Sequence, residues 1–372
     1  MDVAATHPAQ VDLARVFSSV RLLGPPMSDK VVRLVSHLFT PEEAAIAVHL
    51  PFYKPRPLSW IASRAGRTEL DIEPTVRAMA DKRVILEIRR TYSLIPLIPG
   101  MFENMLISGV DTPWHREYAQ LLDDVFRTGY VREYTWRPTR AVRNIPVQQV
   151  IENHQHVVSV DLISEMIRAH DDLAVANVCQ CRQSLMFRGK ECKRSSPADG
   201  CLIFGSLARG LVKSGDGRFV SRDEMRSIVD DRWKKKLVFL TGNVSPTSPN
   251  AICTCCDCCC HMLEAMNDYG GMPLVAPSHF VAQVDEASCT SCMKCAKACN
   301  TRAHELIDRK HRFHKERCIG CGLCVPACTE QSVQMAVNPA YRKPPEGILG
   351  LSLKMLPATA LTGIKVRLAR GS

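Results

Sequence analysis

Eighteen cysteines occur in this chain of 372 residues, all of them between Cys179 and Cys328, and eight repeat a single spacing. Cys289, Cys292, Cys295 and Cys299 lie in CTSCMKCAKAC, and Cys318, Cys321, Cys324 and Cys328 in CIGCGLCVPAC. Both read C-x2-C-x2-C-x3-C, with each second-copy cysteine 29 residues after its counterpart. Three thiolates two residues apart can wrap one corner of an iron–sulfur cube from a single tight loop. The fourth, carried onto the following helix, points toward the other cube. The spacing therefore assigns Cys289, Cys292, Cys295 and Cys328 to one [4Fe–4S] cluster, and Cys318, Cys321, Cys324 and Cys299 to a second. A pair of structural zinc sites would want two CxxC knuckles per ion instead.

At these residues the stretch resembles bacterial two-cluster ferredoxins, over roughly residues 278–338. It departs from that family after each fourth cysteine, where Asn300 and Thr329 stand in place of the usual Pro. Neither residue is a ligand, so the departure weakens a shielding contact and leaves the ligand set intact.

The other ten cysteines lie upstream. Cys179, Cys181, Cys192 and Cys201 read C-x-C-x10-C-x8-C after a strand-like run, DLAVANV. On an extended segment residues i and i+2 face the same side, so Cys179 and Cys181 are expected to share a metal, with Cys192 and Cys201 closing over it. Arg182, Arg188, Lys190, Lys193 and Arg194 would offset a negative cluster. One [4Fe–4S] cluster fits this set, with zinc as the alternative. The CQCR stretch resembles the CxCR segment of certain larger ferredoxin-like proteins of anaerobes. Then AICTCCDCCCH packs Cys253, Cys255, Cys256, Cys258, Cys259 and Cys260 into eight residues. Adjacent cysteines point in different directions, so one cube cannot readily take all six. Three arrangements stay open: one further cubane, ligands shared with the Cys179–Cys201 group, or a larger non-cubane cluster. A metallothionein-like zinc or copper(I) site is the soft-ligand competitor. In all, one or two iron–sulfur clusters beyond the ferredoxin pair are expected from Cys179–Cys260. His261 is a weaker candidate ligand. His154 and His156 read as surface residues, while His304, His311 and His314 would tune potential or lie in solvent.

These sites need elements to position them, and the patterning implies a multidomain α+β chain. Residues 1–27 read as a tail or short helix. From Ser28, helical periodicity, the helix start Thr40-Pro41-Glu42-Glu43, a short helix in WIASRA and a third helix at about 71–83 precede two β-rich runs at 84–90 and 91–98. Three helices and a hairpin resemble a winged helix-turn-helix over 28–100. A helical connector follows at 101–170, in which REYTWRPTRAVRN (132–144) reads as an ordered segment. A mixed α/β cysteine-rich metal-binding region then covers 171–275, with a helix at 221–233 and a strand at 236–244. The two-cluster domain covers 276–338, opened by a strand in HFVAQVD and closed by one in SVQMAV. An apolar docking tail ends the chain at 339–372.

Bulk properties narrow the function. Apolar content of 46% and charge of 23% suit globular protein. No run approaches the length of a membrane span. The opening MDVAATHPAQVDLARVF carries early charges and no apolar core, so no signal peptide is expected. Clustered close-spaced cysteines indicate metal in a reducing, cytoplasmic compartment. The formal charge is +10; three four-thiolate cubanes at about −2 each would reduce it to about +4, so the basic excess is weak grounds for nucleic acid. The would-be recognition helix mixes Asp71, Glu73 and Asp81 with Arg77, Lys82 and Arg83, which favours protein docking over a DNA groove. No G-x-G-x-x-G follows a strand. The chain thus reads as a non-catalytic electron-transfer subunit, relaying low-potential electrons between a donor and an acceptor within a larger oxidoreductase complex, as the resemblance to subunits of anaerobic reductases implies. Two alternatives remain: a catalytic reductase subunit with a non-cubane cluster at Cys253–Cys260, and an iron–sulfur redox-sensing DNA-binding regulator.

Overall fold

A computed structural model describes residues 6–52, 54–135, 140–146, 163–245, 247–248 and 250–371. The expectations for His154 and His156 lie outside the described residues. The chain divides into two units, one of residues 1–130, 183–190 and 362–372, the other of residues 131–182 and 191–361. The fold is α+β.

The first unit begins with α1 (Pro8–Phe17), which buries Leu13, Ala14 and Phe17. α2 (Asp29–Leu38) buries five apolar residues along one face, and Phe17 meets Phe39 with ring centroids 5.8 Å apart. The opening segment is thus a packed helix, the second of the two readings it allowed. α3 (Pro41–Ala47) starts at a capping box in which Thr40 and Glu43 satisfy each other's backbone N–H groups. β1 (Arg56–Pro57) leads into α4 (Leu58–Ala65), ended by Gly66 in the left-handed region. α5 (Glu69–Asp81) is again boxed, by Thr68 and Asp71. β2 (Leu86–Ile88) and β3 (Thr91–Ser93) form a hairpin, shorter than the runs that suggested it, and β3 also pairs with β1. α6 (Phe102–Leu106) and α7 (Pro113–Phe126) complete this stretch. The Trp114 indole stacks on His37 of α2 and donates to its carbonyl at 3.2 Å.

The second unit is built on an antiparallel six-stranded sheet of order β4-β8-β9-β6-β5-β7. Its members are β4 (Val142–Asn144), β5 (Leu173–Ala176), β6 (Leu202–Phe204), β7 (Gly217–Phe219), β8 (Val238–Gly242) and β9 (Ala251–Cys255). β4 lies in a stretch expected to be mainly helical; its Arg143 and Asn144 are buried. Helices α8 (Ile163–Ala169), α9 (Gln180–Phe187, of which residues 183–187 belong to the first unit), α10 (Ser206–Lys213), α11 (Arg222–Lys234) and α12 (His261–Asp268) intervene, α11 capped by Ser221.

The repeat region supplies β10 (Phe280–Val284), α13 (Lys294–Ala298), the hairpin β11 (His304–Ile307) and β12 (Lys310–Phe313), and β13 (Val333–Val337). β10 and β13 pair antiparallel from Phe280↔Val337 to Val284↔Val333, as the two flanking runs predict. Ala298, Ile319 and Leu323 of this region enter the same apolar core as Leu202, Phe239, Ile252 and Leu263 of the sheet and α12. The repeat is therefore fused to the sheet by shared burial. α14 (Gly347–Gly371) carries Pro357 within it and exposes Leu353, Leu356, Ile364 and Leu368. Among the described residues, no helix is long and apolar enough to cross a membrane.

Candidate metal centres

Four thiols from both copies of the repeat meet at one cavity. Its lining includes Cys289, Cys292 and Cys295 from the first copy and Cys328 from the second. The chain reaches this arrangement through left-handed turns at Ser291 and Met293, which curl the loop before α13. Cys295 is buried and Cys292 exposed. Burial pushes the Cys295 thiol up to about 11, so without a cation it holds its proton.

The second group gathers Cys318, Cys321, Cys324 and Cys299. Burial, followed by the charge of Cys299, pushes Cys321 up to about 12. Burial raises Cys324 well above the usual thiol range, reinforced by Cys321, Cys318 and Cys299. Mutually repelling, desolvated sulfurs of this kind accept ionisation when a shared cationic core replaces their protons. Gly320 makes this loop possible. Its φ is +70° and a Cβ there would sit 2.0 Å from the Phe280 carbonyl oxygen, so only glycine fits. Cys295 and Cys324 share one small core with Phe280, Val333 and Met335, which brings the two groups together.

Side chains around the sulfurs were only partly legible in the sequence. His311 places Nδ1 3.5 Å from Cys289 Sγ and Nε2 3.8 Å from Cys295 Sγ. His304 stacks on His311 and meets it at 2.9 Å; burial keeps His304 neutral, with its pKa down at about 4. His314 instead faces Glu305 at 3.0 Å. The Ala303 N–H donates to Cys299 Sγ at 3.3 Å. Asn300, read as a lost shielding contact, has a larger role. It is buried, accepts from Arg194 at 2.9 Å and from the Asp257 N–H at 3.2 Å, and donates to the Lys236 carbonyl at 3.1 Å. It ties the Cys299 corner to the CCDCCC run. A proline could make none of these bonds.

The ten upstream cysteines divide differently from the grouping suggested by their order. Cys192 leaves Cys179, Cys181 and Cys201 and joins Cys256, Cys258 and Cys259. Cys258 lies 3.5 Å from Cys192 and 3.4 Å from Cys256, and the sulfurs of Cys192, Cys258 and Cys259 all fall within 4.8 Å of one another. The remaining six, Cys179, Cys181, Cys201, Cys253, Cys255 and Cys260, form a second group. Cys201 lies 3.7 Å from Cys253. Cys201 also lies 3.8 Å from Oε1 of Gln180, the residue between Cys179 and Cys181. Cys179 senses the charge of Cys253 and Cys260. Thiols of the six-cysteine run thus lie beside thiols of the upstream group in both sets.

Local structure explains the split. β6 and β9 pair with Leu202 opposite Ile252, so Cys201 and Cys253 are neighbours one step further on. Cys253 and Cys255 alternate onto one face of β9, with Thr254 between them on the other. The chain then turns at Cys256–Cys259 and re-enters the six-thiol group at Cys260, where α12 begins. A correction concerns CQCR. It is not extended: Cys179 precedes α9 and Cys181 lies in its first turn. Gln180, between them, places its Oε1 3.8 Å from Cys201 Sγ.

Charge is distributed to match. Arg182 is the largest wholly buried side chain among the described residues. It donates to the carbonyls of Thr254 and of Asp199, the latter at 2.9 Å. Burial alone would weaken its charge, yet Cys179, Cys259 and Cys192 outweigh that and raise its pKa; it faces both thiol groups. Arg232 is also buried and bonds Thr254 Oγ1 at 2.8 Å and Asp199 at 3.1 Å. Lys193 pairs with Asp257 at 2.8 Å. Arg188, expected to serve a cluster, is instead paired with Asp123 at 2.6 Å within the first unit. Lys190 is exposed. His261 faces Glu264 at 3.4 Å.

Residues 282–335 match the family model described as a 4Fe-4S dicluster domain. Nothing matches among the curated proteins or the solved structures. The chain therefore carries an iron–sulfur, ferredoxin-like domain at these residues.

Proposed function

We propose that this protein relays low-potential electrons through several iron–sulfur clusters to or from a partner oxidoreductase, without catalysing a reaction at the ferredoxin sites. The observation that carries the reading is the cavity lined by Cys289, Cys292, Cys295 and Cys328, which needs both halves of the repeat. When bound, such clusters supply one-electron transfer. Cys289, Cys292, Cys295 and Cys328 would hold one and Cys318, Cys321, Cys324 and Cys299 the other, each site giving four thiolates and no open iron. The chain's residues do the tuning. The N–H of Ala303 and the ring of His311 address ligand sulfurs, and the shared apolar core excludes water. Cys292, exposed, marks the edge at which a partner would exchange electrons.

The 28–100 region fits a protein-docking role in this reading. Its helix order and β1-β3-β2 sheet suit a winged helix, but Arg77 is bonded to Glu73 at 2.6 Å and Arg90 approaches the same carboxylate at 3.6 Å, so two of its basic side chains already face a carboxylate rather than standing as a basic patch for a DNA backbone. A cytoplasmic location and stable membership of a complex belong to the same proposal. A second reading, an active reductase centre among the upstream cysteines, is favoured by one observation: Cys253 is exposed.

The test is anaerobic iron and sulfide quantification with EPR of the dithionite-reduced protein, on the parent and on C292S/C321S. The relay reading expects two interacting cubane signals, both impaired in the variant. A parent with no cubane signal would sink it.

A further inference from the structure

Resting on the iron–sulfur reading, we infer that the six-thiol group formed by Cys179, Cys181, Cys201, Cys253, Cys255 and Cys260 is a site for one polynuclear cluster larger than a cubane, separate from the four-thiol group of Cys192, Cys256, Cys258 and Cys259.

Counting ligands leads there. A cubane has four irons and takes four terminal ligands. The four-thiol group is already complete for a closed site. The other group has two thiols too many for one cubane, and the elements that carry them converge: Cys201 Sγ lies 3.7 Å from Cys253 Sγ and 3.8 Å from Oε1 of Gln180, the residue between Cys179 and Cys181, while Arg182 of α9 donates to the Thr254 carbonyl between Cys253 and Cys255. Six thiolates satisfy two cubane halves with three ligands each, when one bridging sulfide joins the remaining iron of each half. The elements suggest the same division. The paired strands β6 and β9 supply Cys201, Cys253 and Cys255, while the starts of α9 and α12 supply Cys179, Cys181 and Cys260.

The surroundings are those of a strongly anionic guest. Two cubane halves of charge 2+, a sulfide bridge and six thiolates sum to about −4. Both helices direct their N-termini at the group. Cys179 immediately precedes α9, and Cys260 stands at the N-cap of α12. Arg182, at the start of α9, brings a buried cation whose Nε is buried with no hydrogen-bond partner. An unpaired buried guanidinium N–H is costly unless an acceptor arrives; a cluster sulfide or thiolate would be one.

The experiment counts iron, sulfide and zinc together in the full-length, anaerobically reconstituted chain, with Mössbauer spectra of each sample. C181S/C253S removes one thiol from each half and is expected to lose about eight irons, while C192S/C258S keeps those eight. Loss of about four irons or fewer from C181S/C253S overturns the inference, as does zinc or copper bound there in the parent. Should either variant misfold, the parent decides. About sixteen irons beside one zinc, or about twenty with none, supports the larger cluster; about twelve with one zinc, or about sixteen with none, overturns it. An iron content unchanged in C292S/C321S would instead overturn the relay reading, leaving the upstream count as measured.

Discussion

At the scale of single residues, the chemistry depends on groups that are not ligands. Arg182 is buried between two sets of thiols and also satisfies two backbone carbonyls. Replacing it with Met leaves those carbonyls unpaired and the sulfur charge uncompensated, a loss expected to cost about 3–5 kcal/mol. Anaerobic urea unfolding of the holoprotein checks this, with Arg182→Lys recovering part of the loss. Gly320 is a second such position. Gly320→Ala meets both a left-handed backbone and the Phe280 carbonyl, so it should destabilise the second cubane loop by more than the roughly 1 kcal/mol expected at an open left-handed glycine such as Gly270. Thermal unfolding and the iron content of the two variants make the comparison; equal effects would refute it.

At the scale of elements, the interest lies in how the repeat is joined to the sheet. Asn300 makes hydrogen bonds to Arg194, Asp257 and Lys236 from the residue that follows Cys299. Asn300→Ala should cost about 2–4 kcal/mol, since several buried partners lose their bond at once. Asn300→Pro, the residue usual in ferredoxins, should be no better. Hydrogen-exchange protection in α13 and at the β8 start reports the loosened junction, and unaltered protection would show that shared apolar burial suffices. The junction was half legible. The departure from Pro at 300 is visible in the sequence, but its partners are 43, 64 and 106 residues away, and no local pattern carries that information.

At the scale of the molecule, the two units differ in what stabilises them. The helical segment 1–130 buries ordinary aliphatic and aromatic cores and contains no cysteine. The other unit buries thiols inside its cores, where removal of metal leaves repelling or protonated sulfurs. Stripping iron with an oxidant and chelator should therefore abolish exchange protection in β5, β6, β8 and β9 while α2, α3 and α5 keep theirs. Simultaneous loss in both units would argue against this. Ion pairing in α5 makes a matching forecast: affinity for random duplex DNA should be weak and should show a shallow salt dependence. A steep dependence in fluorescence anisotropy would revive the regulator reading.

The sequence by itself determined the ferredoxin-like domain, because a duplicated spacing acts over a dozen residues and loop geometry transmits it directly to the cysteine positions. The flanking strands, the capped helices α3 and α11 and the mixed charge of α5 were equally local, so periodicity and end signals revealed them. Only the tertiary structure decided which upstream cysteines belong together. Cys192 and Cys201 are separated by eight residues, yet they enter different groups, because antiparallel pairing sets Cys201 beside Cys253 while the turn after β9 delivers Cys258 to Cys192. Strand register is a long-range property, and a thiol's partners follow from it rather than from the thiol's place in the chain.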